Sequence, residues 1–93
     1  MAQMHGGITI ERPDPDRVRA IGIPSWPVWE KEPSTFEWTY DEPETCFFLD
    51  GDVVVTTPGG EVSVGAGDLV TFPKGLRCTW RVARAVRKHY RFG

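Results

Sequence analysis

Four turn signals divide the second half of the chain at nearly even intervals: Asp50-Gly51, Pro58-Gly59-Gly60, Gly65-Ala66-Gly67-Asp68 and Pro73-Lys74-Gly75. Their centres fall about eight residues apart, the rhythm of short strands in a sandwich or barrel. Between them lie Cys46-Phe47-Phe48-Leu49, Val53-Val54-Val55-Thr56-Thr57, Glu61-Val62-Ser63-Val64 and Leu69-Val70-Thr71-Phe72, runs rich in β-branched and aromatic residues. Asp50-Gly51 reads as a hairpin turn, because glycine takes the positive φ that a tight turn needs. Trp29-Glu30-Lys31, then Pro33-Ser34, then Thr35 to Tyr40, reads as a second hairpin. Prolines at 13, 15, 24, 27, 33 and 43 leave few windows for a helix. Residues 16–22 fit one helical turn or, through Val18, Ala20 and Ile21, a strand. The expectation is an all-β barrel domain over 16–93 with about eight to ten short strands and little or no helix. A loosely ordered arm is expected over 1–15.

At 93 residues the chain holds one domain with a small core. Four Trp, five Phe and two Tyr supply a large apolar payload for that core. No apolar run approaches the roughly 20 residues of a membrane span, and no basic cluster followed by an apolar stretch opens the chain. Two cysteines match neither a disulfide scaffold nor a zinc motif. A cytoplasmic setting with two free thiols is therefore expected. All thirteen acidic groups and four basic ones lie in residues 1–73, while 74–93 carry seven basic groups and no acid. A nucleic-acid-binding tail is one reading of that split. The sequence pI of about 5.6 favours basic strands lying beside acidic ones instead.

Alternation assigns the faces. Phe36, Trp38 and Tyr40 share one face, directed inward, and Thr35, Glu37 and Thr39 share the other. In residues 44–49, Glu44, Cys46 and Phe48 alternate with Thr45, Phe47 and Leu49. Both sets hold large apolar groups, so this strand needs cover on both sides, and a homodimer would supply the second. In the last strand Val86, Lys88, Tyr90 and Phe92 oppose Arg87, His89 and Arg91. Lys88 thus sits among apolar neighbours. Either it pairs with a carboxylate, Glu44 being the one with the mirror problem, or it snorkels to water at a barrel rim.

These residues resemble the cupins, whose two motifs are written G-x5-H-x-H-x3,4-E-x6-G and G-x5-P-x-G-x2-H-x3-N. Gly67, Pro73 and Gly75 match the opening of the second, with its ligand position on Cys78 and its Asn position on Val82. Glu44 and Gly51 match the end of the first, whose histidine positions fall on Trp38 and Tyr40. The stretch from Trp29 to Phe92 is similar to small single-domain cupins related to the cupin domain of (S)-ureidoglycine aminohydrolase. Trp29-Glu30-Lys31, Cys78-Thr79-Trp80 and Lys88-His89-Tyr90 carry that finer likeness. The resemblance implies a jelly-roll β-barrel, commonly paired as a dimer, with its site at the barrel centre.

A typical cupin centre holds a divalent metal on three imidazoles and one carboxylate, ligands suited to Mn, Ni, Zn or Fe. This chain keeps only Glu44. Trp38 offers a donor and no lone pair, and Tyr40 would have to lose a phenolic proton. A metal, if held, would rest on Glu44, Cys78 and Tyr40, so no cofactor is the favoured expectation. The two histidines, His5 and His89, lie outside both motifs, and alternation turns His89 away from the centre.

Two functions follow. In the favoured one the barrel binds a small polar-headed metabolite, a cationic one included, through Trp38, Tyr40, Glu44, Cys46, Cys78, Trp80 and Lys88. In the alternative, an aminohydrolase-like cupin acts on a ureido or related nitrogenous compound. Glu44 would then be the acid/base group, Tyr40 a hydrogen-bond donor and Cys78 a nucleophile. The same aromatic residues would also simply fill a narrow barrel.

Overall fold

The β-branched runs do form strands, but one 14-residue strand passes straight through the first turn signal. The computed structural model describes residues 3–93. In chain order it contains β1 (Gln3–His5), β2 (Ile8–Glu11), α1 (Pro15–Ile21), β3 (Val28–Lys31), β4 (Ser34–Thr39), β5 (Glu44–Thr57), β6 (Gly60–Gly65), β7 (Leu69–Phe72) and β8 (Arg77–Phe92). A single 3-10 turn at Ile23–Ser25 follows α1. Among the described residues no helix is long and apolar enough to cross a membrane.

Every strand pairing is antiparallel, in one eight-stranded sheet ordered β1-β2-β7-β5-β8-β3, with β4 added to β8 and β6 to β5. β5 and β8 each serve two halves of the barrel. The first half of β5 pairs with β7 and with the end of β8, from Glu44↔Phe92 to Phe48↔Lys88. Its second half pairs with β6 and with the start of β8, from Val53↔Val82 to Thr56↔Thr79. Between the halves the register slips at Asp50 and Asp52. Bulges of this kind bend and twist a strand, and here they fold the sheet over its own core. The result is a single-domain jelly-roll β-barrel.

Asp50-Gly51 is therefore a bulge inside a continuous strand and not a hairpin. The reason glycine stands there is the one inferred for a turn, a φ of +123° that an L side chain resists. A Cβ on Gly51 would also lie 2.8 Å from the Val86 Cα on the facing strand. Pro58-Gly59, by contrast, does close a two-residue hairpin, with Thr57 opposite Gly60. Thr57 Oγ1 accepts from the Gly59 N–H at 3.0 Å and donates to the Gly60 carbonyl at 3.1 Å.

One other expectation is corrected. The segments 29–31 and 35–40 do not pair with each other. β3 adds to β8 at Val86 to His89, and β4 adds to β8 at Arg77 to Val82, so each borders a different half of the same long strand. Within the arm expected over 1–15, β1 and β2 pair with each other. β2 pairs with β7 through Thr9↔Thr71 to Glu11↔Leu69, and Ile8 is fully buried. Residues 1–2 of that arm lie outside the described residues.

Residues 16–22 resolve into helix for local reasons. Asp14 caps α1 by accepting from the Arg17 N–H at 2.8 Å, Pro15 occupies its first turn, and Gly22 ends it at φ +87°. No residue of α1 is buried, so it rides on the surface.

The core is aromatic and β-branched: Tyr40, Phe48, Phe72 and Trp80 with Ile8, Val53, Val55, Val64, Val70, Val82 and Val86. Tyr40 stacks on Phe72 with centroids 4.9 Å apart, and Phe72 and Phe48 both pack on Trp80. On the outer face of β5, Phe47 is half-buried and Leu49 exposed. The basic residues of β8 do lie beside acids, Arg84 with Asp50 at 2.8 Å and Arg87 with Glu30 at 3.4 Å.

The bend supplies a first prediction. Gly51→Ala forces both a strained φ and a backbone clash at the fold's hinge, and should cost about 2 kcal/mol or more. A urea midpoint within experimental error of the wild type would show that the bulge does not require glycine.

Candidate functional site

Strand pairing places two charges of opposite sign on the inner surface. On β5, Glu44, Cys46 and Phe48 alternate inward, and all three are buried. On β8, Val86 and Lys88 do the same, and Lys88 stands opposite Phe48 in the ladder. Glu44 lies four residues back along β5, and the long lysine stem spans that diagonal. Lys88 Nζ donates to Glu44 Oε2 at 3.2 Å and to Cys46 Sγ at 3.1 Å. Both charged side chains are buried, at 5% and 6% exposure, which settles the sequence's two readings of Lys88 in favour of the pair.

Aromatic rings surround the ammonium. Trp29 on β3 faces Lys88 across the ladder, and its ring centroid is 4.9 Å from Nζ. Trp80 lies at 4.8 Å and Tyr90 at 6.0 Å. A cation over such ring faces is stabilised by their quadrupoles, the more so where water is scarce. Above the pair opens a cavity of about 520 Å³, walled by Trp29, Phe36, Tyr40, Trp80 and Tyr90, with Trp38 and Phe92 at its mouth. Trp38 and Phe92 are 48% and 43% exposed, large apolar groups facing solvent at the opening.

Of the seven residues singled out from the sequence, five line this cavity: Trp38, Tyr40, Glu44, Trp80 and Lys88. Trp38 lies at the rim and not in the interior, because β4 ends one residue later and the wall stops there. Cys46 sits behind Lys88 and does not line the cavity. Cys78 is buried in the core on the same face of β8 as Trp80, its thiol donating to the Trp38 carbonyl at 3.7 Å, and it lines a smaller pocket with Arg77 and Thr57. Cys78 is thus not among the residues that line the main cavity. Trp29, Phe36 and Tyr90 were not among the expected site residues. Their alternation was readable, but the β3–β8 register that carries Trp29 to Lys88 was not. His89 does not line the cavity; its Nδ1 lies 2.9 Å from the Trp26 carbonyl oxygen.

Titration follows from burial. Burial first, and then the charge of Glu44, push the Tyr40 phenol far up from its ordinary value. Burial also drives the Cys46 thiol up, against the pull of the Lys88 ammonium. Cys78 is raised for the same first reason, with the Trp80 N–H working against it. Both cysteines are free and are neutral thiols at physiological pH. Trp80 Nε1 is buried without a partner of hydrogen-bonding geometry.

The metal implied by a cupin barrel does not fit this donor set. Among the described residues no three His, Cys, Asp or Glu side chains converge. Glu44, the one buried carboxylate of the cavity, already faces an ammonium at 3.2 Å, and the neutral phenol of Tyr40 is a weaker donor than a thiolate or an imidazole. The same ammonium takes the Trp29 and Trp80 ring faces, leaving a cationic ligand without its partners.

Removing one member of a buried pair strands the other. Lys88→Met and Glu44→Gln should therefore each destabilise by about 3–5 kcal/mol, and the double variant by clearly less than their sum. Additive losses in urea unfolding would show the two charges to be uncoupled. Stability should also fall at alkaline pH. A buried thiol and phenol with raised values contribute stability that is complete below their ordinary values of 9.0 and 10.0. It is lost above them, because the unfolded chain alone then releases those protons. A urea midpoint that stays constant or rises above about pH 9 would contradict this.

The comparisons with known proteins agree with this architecture. A family model described as the EutQ-like cupin domain matches residues 18–90. A DUF861 family protein from Thermotoga maritima is 50% identical in sequence, over 92% of this chain and 99% of that one, with a TM-score of 0.89. The EutQ protein of Clostridium difficile is 30% identical over 68% of this chain and 50% of that one, with a TM-score of 0.63. A curated relative, acetate kinase EutQ from Clostridioides difficile (strain 630), is 31% identical over 61 residues. The match takes in 66% of this chain but spans only 39% of that relative's length. The finer likeness to (S)-ureidoglycine aminohydrolase rests on the sequence motifs alone. With a jelly-roll barrel and a family match over most of its length, the chain belongs to the EutQ-like cupin domain family.

Proposed function

We propose that this domain binds a small molecule with an apolar, planar body and one uncharged polar head in the cavity above Glu44 and Lys88. The observation that carries the reading is a neutralised donor–acceptor pair at the floor of a ring-walled cavity. Such a floor offers one charge-assisted donor and one charge-assisted acceptor, which complement an amide, ureide or other carbonyl-bearing head. A head with net charge would have to break the pair or leave its own charge poorly compensated. The curated relative's name is that of a phosphotransferase. A floor made of one self-neutralised pair between aromatic rings suits an uncharged head better than a chain of phosphates. In the catalytic alternative Glu44 acts as acid/base on a ureido compound, and ammonia release from ureidoglycine is its test.

Intrinsic fluorescence reads the site directly, because three of the four tryptophans, Trp29, Trp38 and Trp80, border the cavity. Benzamide and phenylurea are suitable probes. Each should change the emission saturably and raise the melting temperature, since a ligand held only by the folded state stabilises it. Trp38→Ala, at the exposed rim, should change stability by less than about 1 kcal/mol while weakening binding several-fold. Lys88→Arg keeps the charge but alters the floor, and should weaken binding about tenfold or more. No response to either probe, nor to small aliphatic amides and ureas at millimolar concentration, would remove the proposal.

A further inference from the structure

We infer that Lys88 is a covalent site for small aldehydes or ketones, which it captures as an imine with Glu44 passing the protons. The inference rests on the cavity being a ligand site, and it goes beyond binding by assigning a reactive nitrogen within it.

The argument begins from cost. A buried ion pair adds little stability over apolar residues of the same volume, so its presence among rings needs another reason. Lysine, unlike arginine, becomes a nucleophilic amine on losing a proton, and apolar pockets are where such lysines work. Lys88 Nζ borders the cavity, between the Trp29 and Trp80 rings at 4.9 and 4.8 Å. Its proton has a receiver in place, the Glu44 carboxylate at 3.2 Å. One proton moved along that hydrogen bond leaves a neutral amine beside a neutral acid and removes both buried charges at once. Cys46 Sγ, at 3.1 Å, holds the nitrogen from behind and is itself a neutral thiol that does not compete for the carbonyl.

The chemistry balances without an added oxidant or reductant. The Lys88 amine attacks the carbonyl carbon, forming the C–N bond while the C=O π pair moves to oxygen. Glu44 protonates that oxygen and takes a proton from nitrogen, giving the neutral carbinolamine. It then returns the proton to the hydroxyl, which leaves as water as the C=N bond forms. The sum is ammonium plus carbonyl to protonated imine plus water, with Glu44 a carboxylate at both ends. The ring walls limit water near the imine and so slow its hydrolysis.

The other two lysines are built-in controls. Lys74 stands exposed in the Pro73–Gly75 turn, and Lys31 lies at the cavity mouth with its ammonium over Phe36 at 5.8 Å. The experiment treats the intact protein with limiting benzaldehyde and cyanoborohydride, then maps the benzylated lysines by peptide mass spectrometry. The expected result is modification of Lys88 ahead of Lys74, Lys31 and the N-terminal amine by about tenfold or more, the advantage of a held carbonyl over a free one. Glu44→Gln should slow labelling at Lys88 and leave that at Lys74 unchanged. Benzamide, of the same shape but unable to form an imine, should protect Lys88 alone. Labelling confined to Lys74, Lys31 or the N-terminus while benzamide still binds would overturn the covalent site and leave the binding proposal standing. Lys88 labelling that is equal in native and urea-unfolded protein would also overturn it. If benzamide fails to bind and Lys88 is not labelled, the binding proposal falls as well.

Discussion

The ladder between β5 and β8 is what the rest of the molecule hangs on. These two strands run the length of the barrel, and every other strand except β1 and β2 pairs with one of them. Because they bend together at Asp50 to Asp52, one ladder closes both halves of the barrel over one core. Its register also decides the chemistry. A slip by one residue in β8 would send Lys88 and Tyr90 outward and bring Arg87 and His89 inside. The stacked rings of Tyr40, Phe72, Trp80 and Phe48 have shapes that tolerate no such exchange, so hydrophobic packing fixes the position of the polar pair.

The inner faces of the strands were legible because they depend on local alternation alone. Glu44, Cys46 and Phe48, and Val86 with Lys88, point inward as a period of two requires, and that brought the ion pair within reach of the sequence. Long-range facts were not local in this sense. A strand's parity gives its direction but not its depth, so Trp38 was placed on the right face yet lies at the rim, half exposed. Neighbours in sequence were assumed to pair, and β3 and β4 instead flank different parts of β8. Asp50-Gly51 misled for a different reason: positive φ serves a turn and a bulge alike, and only the facing strand tells them apart. The helix α1 was signalled by Asp14-Pro15 at one end and Gly22 at the other, but the density of prolines outweighed those caps.

The same distinction holds for the site. Motif spacing placed Glu44 correctly at the floor of the cavity, since its position follows from the strand on which the cupin motif lies. Cys78 holds the motif's ligand position in sequence and is buried in the core, its Sγ against the Trp38 carbonyl, but it has no share in the cavity wall. A spacing rule carries a residue to a strand position. What that position borders depends on its neighbours: Trp38, the ladder partner of Cys78, and Trp80, two residues on, line the cavity, and Cys78 does not.

Set beside the cupin pattern, the site is a substitution of one cation for another. The pattern surrounds a divalent ion with a carboxylate and three neutral imidazoles, whereas this barrel places an ammonium against the same carboxylate, with the Trp29 and Trp80 rings around it. The two cations differ in what they can do. A metal polarises a bound oxygen through open coordination positions and can be lost to a chelator. An ammonium on a side chain cannot leave, accepts no ligand lone pair into its coordination, and acts through hydrogen bonds, field or, once deprotonated, its own lone pair. The aromatic walls follow from that exchange: imidazoles would be wasted on a cation that needs no lone pairs, while ring faces stabilise it without adding a competing charge. A barrel without the metal's imidazole ligands holds instead a lysine nitrogen among ring faces, with a carboxylate 3.2 Å away to take its proton.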